Sequence, residues 1–386
     1  MADKFGNGTG FGDRESVSNM GQSIAVMNTK GGVGKSTVVM ALAETLSAYH
    51  GKNVLVIDSD SQTSISTMLM HVSSWEHMEQ QHRTIVDYLM NTVLGPGDAN
   101  WKDFIASGVS DVEDARSVYL IPSHMELSLF EREVSAQKRE AELRATVRAL
   151  LAETTRMFDL VIIDCPPGLS LLTECWLREV QYFIPPTKPD YLAVRGLTIL
   201  KKFREQYAEQ GFAELLGLLI NLKDGRIASE EAWHERLLAD PANRCFKGHI
   251  PRRAYIQRAA DFDSSKRTYI AKYPGDAGQS VRAVTQEILA RLSGRPLEVK
   301  VAAPAPATFR TVAPGPYPSP QNPTSQRPAI ASTLATGGAG AMPHLRIATP
   351  VRPTPGPPAS SREGMAPVAA MPEPPKAAIP EAKLAK

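Results

Sequence analysis

Short apolar runs alternate with longer stretches of helical periodicity through the first three-quarters of the chain. The runs are SIAVMN (23–28), NVLVID (53–58), SVYLIP (117–122), DLVIID (159–164), QYFIPP (181–186) and ELLGLLIN (214–221). They are continuously apolar rather than alternating, as strands buried on both faces are. Helical spacing of apolar positions falls at 36–50, 125–156, 196–210 and 277–293. Strands of this kind between amphipathic helices predict an α/β fold, a mostly parallel twisted sheet with helices on both faces. No internal repeat interrupts the pattern.

The pattern stops near residue 297. Beyond it the sequence turns to Pro, Ala, Ser and Thr, as in AAPAPATFRTVAPGPYPSPQNP and TPVRPTPGPPASS, and about two-thirds of the 30 prolines lie there. Such a segment has too few large apolar side chains to offset the entropy of ordering it. The expected organisation is a flexible lead-in over 1–20, one domain over 21–296 and a disordered, partly polyproline tail over 297–386.

Composition narrows the setting. Three scattered cysteines, Cys165, Cys175 and Cys245, have no metal-type spacing and form no disulfide framework, which fits a reducing cytoplasm. No run approaches the ~18 apolar residues of a membrane span, and the first twenty residues lack the apolar stretch of a signal peptide. The last residues, AAIPEAKLAK, are too short and too weakly apolar for a membrane-anchoring helix. The net charge of +2 hides an asymmetry. From residue 303 onward there are eight Lys or Arg against three Asp or Glu, which leaves 35 and 38 for the rest, a net −3. Nucleic-acid binding by the body therefore needs a local basic patch.

The chemistry begins at NTKGGVGKST (28–37), between the first strand and the first helix. A glycine-rich loop in that place lets backbone N–H groups and the helix dipole converge on phosphates. The stretch TKGGVGKS (29–36) fits G-x-x-x-x-G-K-[ST] except that Thr29 replaces the first glycine. The pattern places Gly31, Gly32, Val33 and Gly34 around the phosphates. It sends Lys35 to the β- and γ-phosphates, Ser36 to Mg²⁺ and Thr37 to the α-phosphate. The apolar strand FDLVIID ends at Asp164, a carboxylate suited to holding Mg²⁺ through a water.

The extra lysine, Lys30, makes KGGVGKS a deviant form of this loop. With it the sequence resembles the ParA/MinD family of P-loop ATPases, over residues 22 to 295. The resemblance implies ATP and Mg²⁺ as ligands, ATP hydrolysis, and a homodimer in the ATP-bound state in which Lys30 contacts the nucleotide of the other subunit. VLVIDSDSQTS (54–64) is similar to the family's D-x-D-P-Q segment. The match assigns Asp60 to the attacking water and Asp58 to support, with Ser61 in the place of the usual proline. DCPPG (164–168) resembles a second switch segment. By the same likeness Asn221 reads the adenine edge, and Pro251, in an Ile-Pro turn, packs near the base.

Within the family there is no C-x-x-C to support a metallocluster role and no terminal helix for a MinD-type membrane role. No DNA-reading domain fits into the few residues before the loop. What remains is closest to ParA-type partition of plasmids or chromosomes. In that role the ATP dimer binds DNA non-specifically and a ParB-like partner triggers hydrolysis and release, at the nucleoid. Arg252, Arg253, Arg258, Lys266 and Arg267, within sixteen residues, are the candidate DNA contacts. Two other readings stay open: an ATPase that positions a protein complex, and a nucleotide-gated binding module with negligible turnover.

Overall fold

In a computed structural model of the protein, residues 20–97, 99–207 and 211–294 are described. The lead-in, apart from Met20, and the whole of the tail expected at 297–386 lie outside these residues.

Among the described residues nine strands make two sheets. In chain order they are β1 (Gln22–Val26), β2 (Val54–Asp58), β3 (Val118–Ile121), β4 (Leu160–Asp164), β5 (Tyr182–Ile184), β6 (Pro186–Thr187), β7 (Glu214–Leu215), β8 (Leu219–Lys223) and β9 (His249–Pro251). The larger sheet runs β3-β2-β4-β1-β5-β7 and the smaller β6-β8-β9. Every strand pairing is parallel. The helices are α1 (Lys35–His50), α2 (Ser64–Leu69), α3 (Val72–Gln80), α4 (Ile85–Leu89), α5 (Leu127–Ala136), α6 (Glu140–Met157), α7 (Leu171–Glu179), α8 (Tyr191–Tyr207), α9 (Ala228–Ala239), α10 (Ala254–Ala259), α11 (Tyr269–Lys272) and α12 (Gly275–Leu292).

Alternate residues of each central strand serve opposite faces. Ile24, Val26, Val54, Val56 and Ile162 pack with Val38, Leu42 and Leu46 of α1 and with Val281, Val284 and Ile288 of α12. Ala25, Met27, Leu55, Ile57, Val161 and Ile163 pack with Leu143, Val147 and Leu150 of α6 and with Leu172 and Trp176 of α7. Burial on both faces explains why the strands read as unbroken apolar runs. The parallel register sets Val26 beside Asp164 and Asp164 beside Asp58. The loop after β1 and the carboxylates ending β2 and β4 thus share one edge, the carboxyl ends where open α/β sheets bind ligands.

Three expected elements divide. The run at 214–221 becomes β7 and β8, in different sheets. Gly217 lies between them, where a Cβ would stand 2.6 Å from the Arg244 carbonyl oxygen and 2.2 Å from Arg291 Nη1 at the end of α12. Only a residue without a Cβ fits this crossing. Pro185 separates β5 from β6, having no N–H for the ladder. The helix expected over 125–156 is α5 and α6, broken at Lys138 in the left-handed region (φ +57°).

Candidate active site

The chain leaves β1 and turns through residues 27–34 into α1. Gly32 (φ +73°) and Gly34 (φ +80°) take left-handed conformations that glycine adopts without strain. The mouth of the loop is open: a Cβ on Gly32 would meet nothing within 4 Å, and one on Gly31 only Pro167, at 3.9 Å. Hydrogen bonds among the described residues engage none of the N–H groups of residues 31–37. They are gathered at the positive end of α1, an arrangement suited to an anion. Lys35, only 7 % exposed, has its pKa lowered by burial, against the opposing pull of Asp164 and then Asp60.

Four side chains or turns hold this loop from outside. Asn28 Nδ2 donates to the Pro186 carbonyl at 2.7 Å, while its Oδ1 accepts from the Lys30 N–H at 3.0 Å. The Thr29 hydroxyl donates to the Gly196 carbonyl of α8 at 3.2 Å. Gly168 N–H donates to the Asn28 carbonyl at 3.4 Å, joining the 164–168 segment to the loop. Asn221 Nδ2 donates to the Val33 carbonyl at 2.7 Å. Thr29 therefore uses the hydroxyl that distinguishes it from the usual glycine. Asn28 was not singled out from the sequence, although an Asn capping a backbone N–H two residues on is a readable turn signal.

Three aspartates meet the loop. Asp58, fully buried, accepts from the Asp60 N–H (3.0 Å), the Ser66 N–H (3.1 Å) and the Ser66 hydroxyl (2.6 Å), which ties the end of β2 to α2. Asp60 accepts from the Gln62 N–H at 3.0 Å, and Thr63 N–H closes the turn on the Asp60 carbonyl at 3.0 Å. Trp176 Nε1 donates to the Ser59 hydroxyl at 2.8 Å, locking this segment to α7. Neither oxygen of the buried Asp164 carboxylate has a hydrogen-bond partner among the described residues. Burial, then the Asp58 charge, pushes its pKa well up, while Ser36 and then Lys35 offset part of this.

Burial pushes Asp58 up to about 7, against its hydrogen bonds. Between the ordinary carboxylate value and 7 the folded chain then holds this proton more tightly than the unfolded chain. The stabilisation is complete at low pH and is lost as pH rises through 7. Raising the pH from 4 to 8 should destabilise the ligand-free wild type relative to Asp58→Asn, by up to about 1.4 kcal/mol per pH unit. Thermal unfolding of both proteins across that range checks this; a pH-independent difference contradicts it.

Among the described residues no group of three or more His, Cys, Asp or Glu could hold a metal by itself. The unpartnered Asp164 carboxylate beside Ser36 fits a magnesium ion that draws most of its ligands from phosphate and water. Lys30 lies outside this group. Its Nζ pairs with both oxygens of Asp190, at 3.2 Å each, just before α8. Ile250 and Pro251 form no turn: they belong to β9, with Asn221 opposite Ile250 and Lys223 opposite Pro251.

The candidate DNA contacts spread over three places, the β9–α10 junction, α10 and the loop before α11, and most are engaged within the protein. Arg253 Nε and Nη2 donate to Asp276, and Arg252 faces Glu230 at 3.6 Å. Arg267 pairs with the buried Asp111 at 2.6 Å, and Lys266 donates to the Ser110 carbonyl. Arg258 lies 5.8 Å from the Tyr255 ring centroid. Asp111 also meets the fully buried Lys272, which bonds Glu44 of α1 at 2.7 Å. Arg267 thus closes a buried polar network, while Lys266, though exposed, is tied to the Ser110 carbonyl beside it. Arg226, not singled out from the sequence, is 89 % exposed and pairs with Asp224, whose pKa is held down by Arg226 and, to a lesser extent, by Arg252.

The family profile described as an AAA domain matches residues 21–216. The chain is 27% identical to the chromosome partitioning protein ParA of Caulobacter vibrioides over 271 residues, 69% of this chain and 94% of that protein. It is 30% identical to the sporulation initiation inhibitor protein Soj of Bacillus subtilis over 243 residues, 62% of this chain and 88% of that protein. Among solved structures it shares the fold of the ATP complex of McdA from Cyanothece, with a TM-score of 0.58 and 18% identity over 73% of this chain and all of that one. With the loop, the carboxylate strand ends and these matches together, the chain belongs to the ParA/MinD family of P-loop ATPases.

Proposed function

We propose that the protein is an ATP-hydrolysing switch for partitioning DNA, a ParA-type ATPase that closes into a homodimer on ATP and Mg²⁺ and binds duplex DNA non-specifically in that state. The observation that carries this reading is the juxtaposition at the sheet edge: an open loop with unengaged N–H groups, buried Lys35, and the unpartnered Asp164 carboxylate. In this reading Gly31, Gly32, Val33, Gly34 and Thr37 surround the phosphates, and Lys35 neutralises the β- and γ-phosphates. Ser36 and, through a water, Asp164 hold Mg²⁺, which supplies charge neutralisation for phosphoryl transfer. Asp60 orients the attacking water. Lys30 leaves Asp190 to reach the nucleotide of the second copy. Pro251 lies near the base. A ParB-like partner stimulates hydrolysis and releases the DNA; the partition role itself is supported by the Caulobacter relative, which is named a chromosome partitioning protein. We assign this activity to residues 21–296 and treat 297–386 as a separate tail. No helix among the described residues is long and apolar enough to cross a membrane. On the partition reading the protein works in the cytoplasm, at the nucleoid.

The test is binding to non-specific duplex DNA with ATP, with ADP and without nucleotide, across a salt series. We expect binding only with ATP, falling steeply with salt because each neutralised phosphate adds a slope of about −0.9. Arg252→Ala/Arg253→Ala should weaken it at least tenfold, on the order of 1–2 kcal/mol. Equal binding in all nucleotide states contradicts the switch. The internal pairing of Arg253, Lys266 and Arg267 favours a second reading, an ATPase that positions a protein complex. ATP-dependent dimerisation with no DNA binding at low salt would select it.

A further inference from the structure

Three features converge on Asn221. It is 2 % exposed, and its Nδ2 donates to the Val33 carbonyl in the middle of the phosphate loop at 2.7 Å. Gly34 leaves room for it: a Cβ there would stand 2.6 Å from Asn221 Nδ2. The next residue, Leu222, adopts φ +56°, and the pairing of β8 with β9 shifts register between Asn221 and Lys223. A left-handed non-glycine residue inside a strand costs about 1–3 kcal/mol and persists only where its surroundings enforce it. Here the bulge turns Leu222 toward the loop as well, its Cδ1 3.9 Å from a Cβ placed on Gly34. The strand is bent to bring this pair onto the loop. A buried amide donor is also not free to turn away, because the Val33 carbonyl would lose its partner.

We propose that Asn221 is a positioning residue for the phosphate loop, holding the Val33 carbonyl so that residues 31–36 stand ready for a polyphosphate before any base is bound. The small β6-β8-β9 sheet is then the support of the loop. Asn28 anchors it to β6 and Asn221 to β8. The proposal rests on the nucleotide-site reading above and deepens it, because a base-reading asparagine contributes only to ligands that carry a base.

The test compares wild type, Asn221→Ala and Asn221→Ser for three ligands with Mg²⁺: ATP, GTP and inorganic tripolyphosphate. Each displaces a fluorescent ATP analogue and is followed to millimolar concentration. Serine keeps a polar side chain in β8 but is too short to reach Val33, so it stands in if the alanine variant does not fold. A lost buried hydrogen bond predicts a fall of about 5- to 10-fold for all three ligands alike, with the ATP-to-GTP ratio unchanged. Loss of ATP affinity with tripolyphosphate affinity intact would overturn the proposal and leave Asn221 as a base reader. Failure of wild type to bind tripolyphosphate while it binds ATP would overturn it too, since a loop held ready must bind the phosphates alone. If wild type binds neither, the nucleotide-site reading itself falls.

Discussion

Replacing Asp60 by alanine should lower ATP turnover by about 10²- to 10⁴-fold while leaving ATP affinity within a few-fold, the range expected for a residue that handles the attacking water. Asp60 lies beside the loop, close enough to Lys35 to oppose, after Asp164, the burial that lowers the lysine's pKa, yet it accepts hydrogen bonds among the described residues only within its own turn. Its loss removes the acceptor of one N–H, that of Gln62. Asp60→Asn keeps an acceptor for that N–H and the same shape, so it separates the turn from the chemistry. Both variants should lose turnover if the carboxylate orients water; recovery of turnover in the asparagine variant would show that only the turn matters. Single-turnover hydrolysis with saturating ATP, set beside equilibrium ATP binding, gives the two numbers needed.

Lys30→Ala should keep ATP binding and lose ATP-dependent dimerisation. In the single chain Lys30 rests on Asp190, both about one-third exposed. An exposed pair of this kind is worth at most about 1 kcal/mol. Moving Lys30 to a phosphate of the second copy exchanges a weak contact for a charge-assisted one of about 1.5–3 kcal/mol. Two symmetric contacts then predict dimerisation weakened by about 10²- to 10⁴-fold. Turnover should fall with it, because a cation brought in by the second copy acts on the charge that develops in phosphoryl transfer. Normal dimerisation of this variant on ATP would rule out the role in trans.

Much of the architecture could be read from the chain because its strands are buried twice. A strand covered on both faces must be apolar throughout, so β1, β2, β3, β4 and β5 stand out without any periodicity. The loop could be read for a similar reason: few other demands place three glycines, two lysines and a serine between a strand and a helix. The failures have particular causes, most of them contacts between distant parts of the chain. Gly217 reads as one residue of a long strand, and only the fold shows it at a close crossing with Arg291 and Arg244, between strands of two different sheets. Lys138 carries no helix-breaking signal, yet it turns left-handed between α5 and α6. The basic cluster was counted by charge alone. Its partners, Asp276, Asp111, Glu230 and the Ser110 carbonyl, come from distant parts of the chain that only the fold brings near. Asn221 and Asn28 show the same limit. Their residue type was visible, but the loop they hold lies elsewhere in the sequence.

A nucleotide-gated dimer shows itself in the mass of the particle in solution. Sedimentation of the full chain with Mg²⁺ and a non-hydrolysable ATP analogue, with ADP and with no nucleotide should give a dimer in the first case only. A single mass in all three conditions, whether monomer or dimer, would contradict the account.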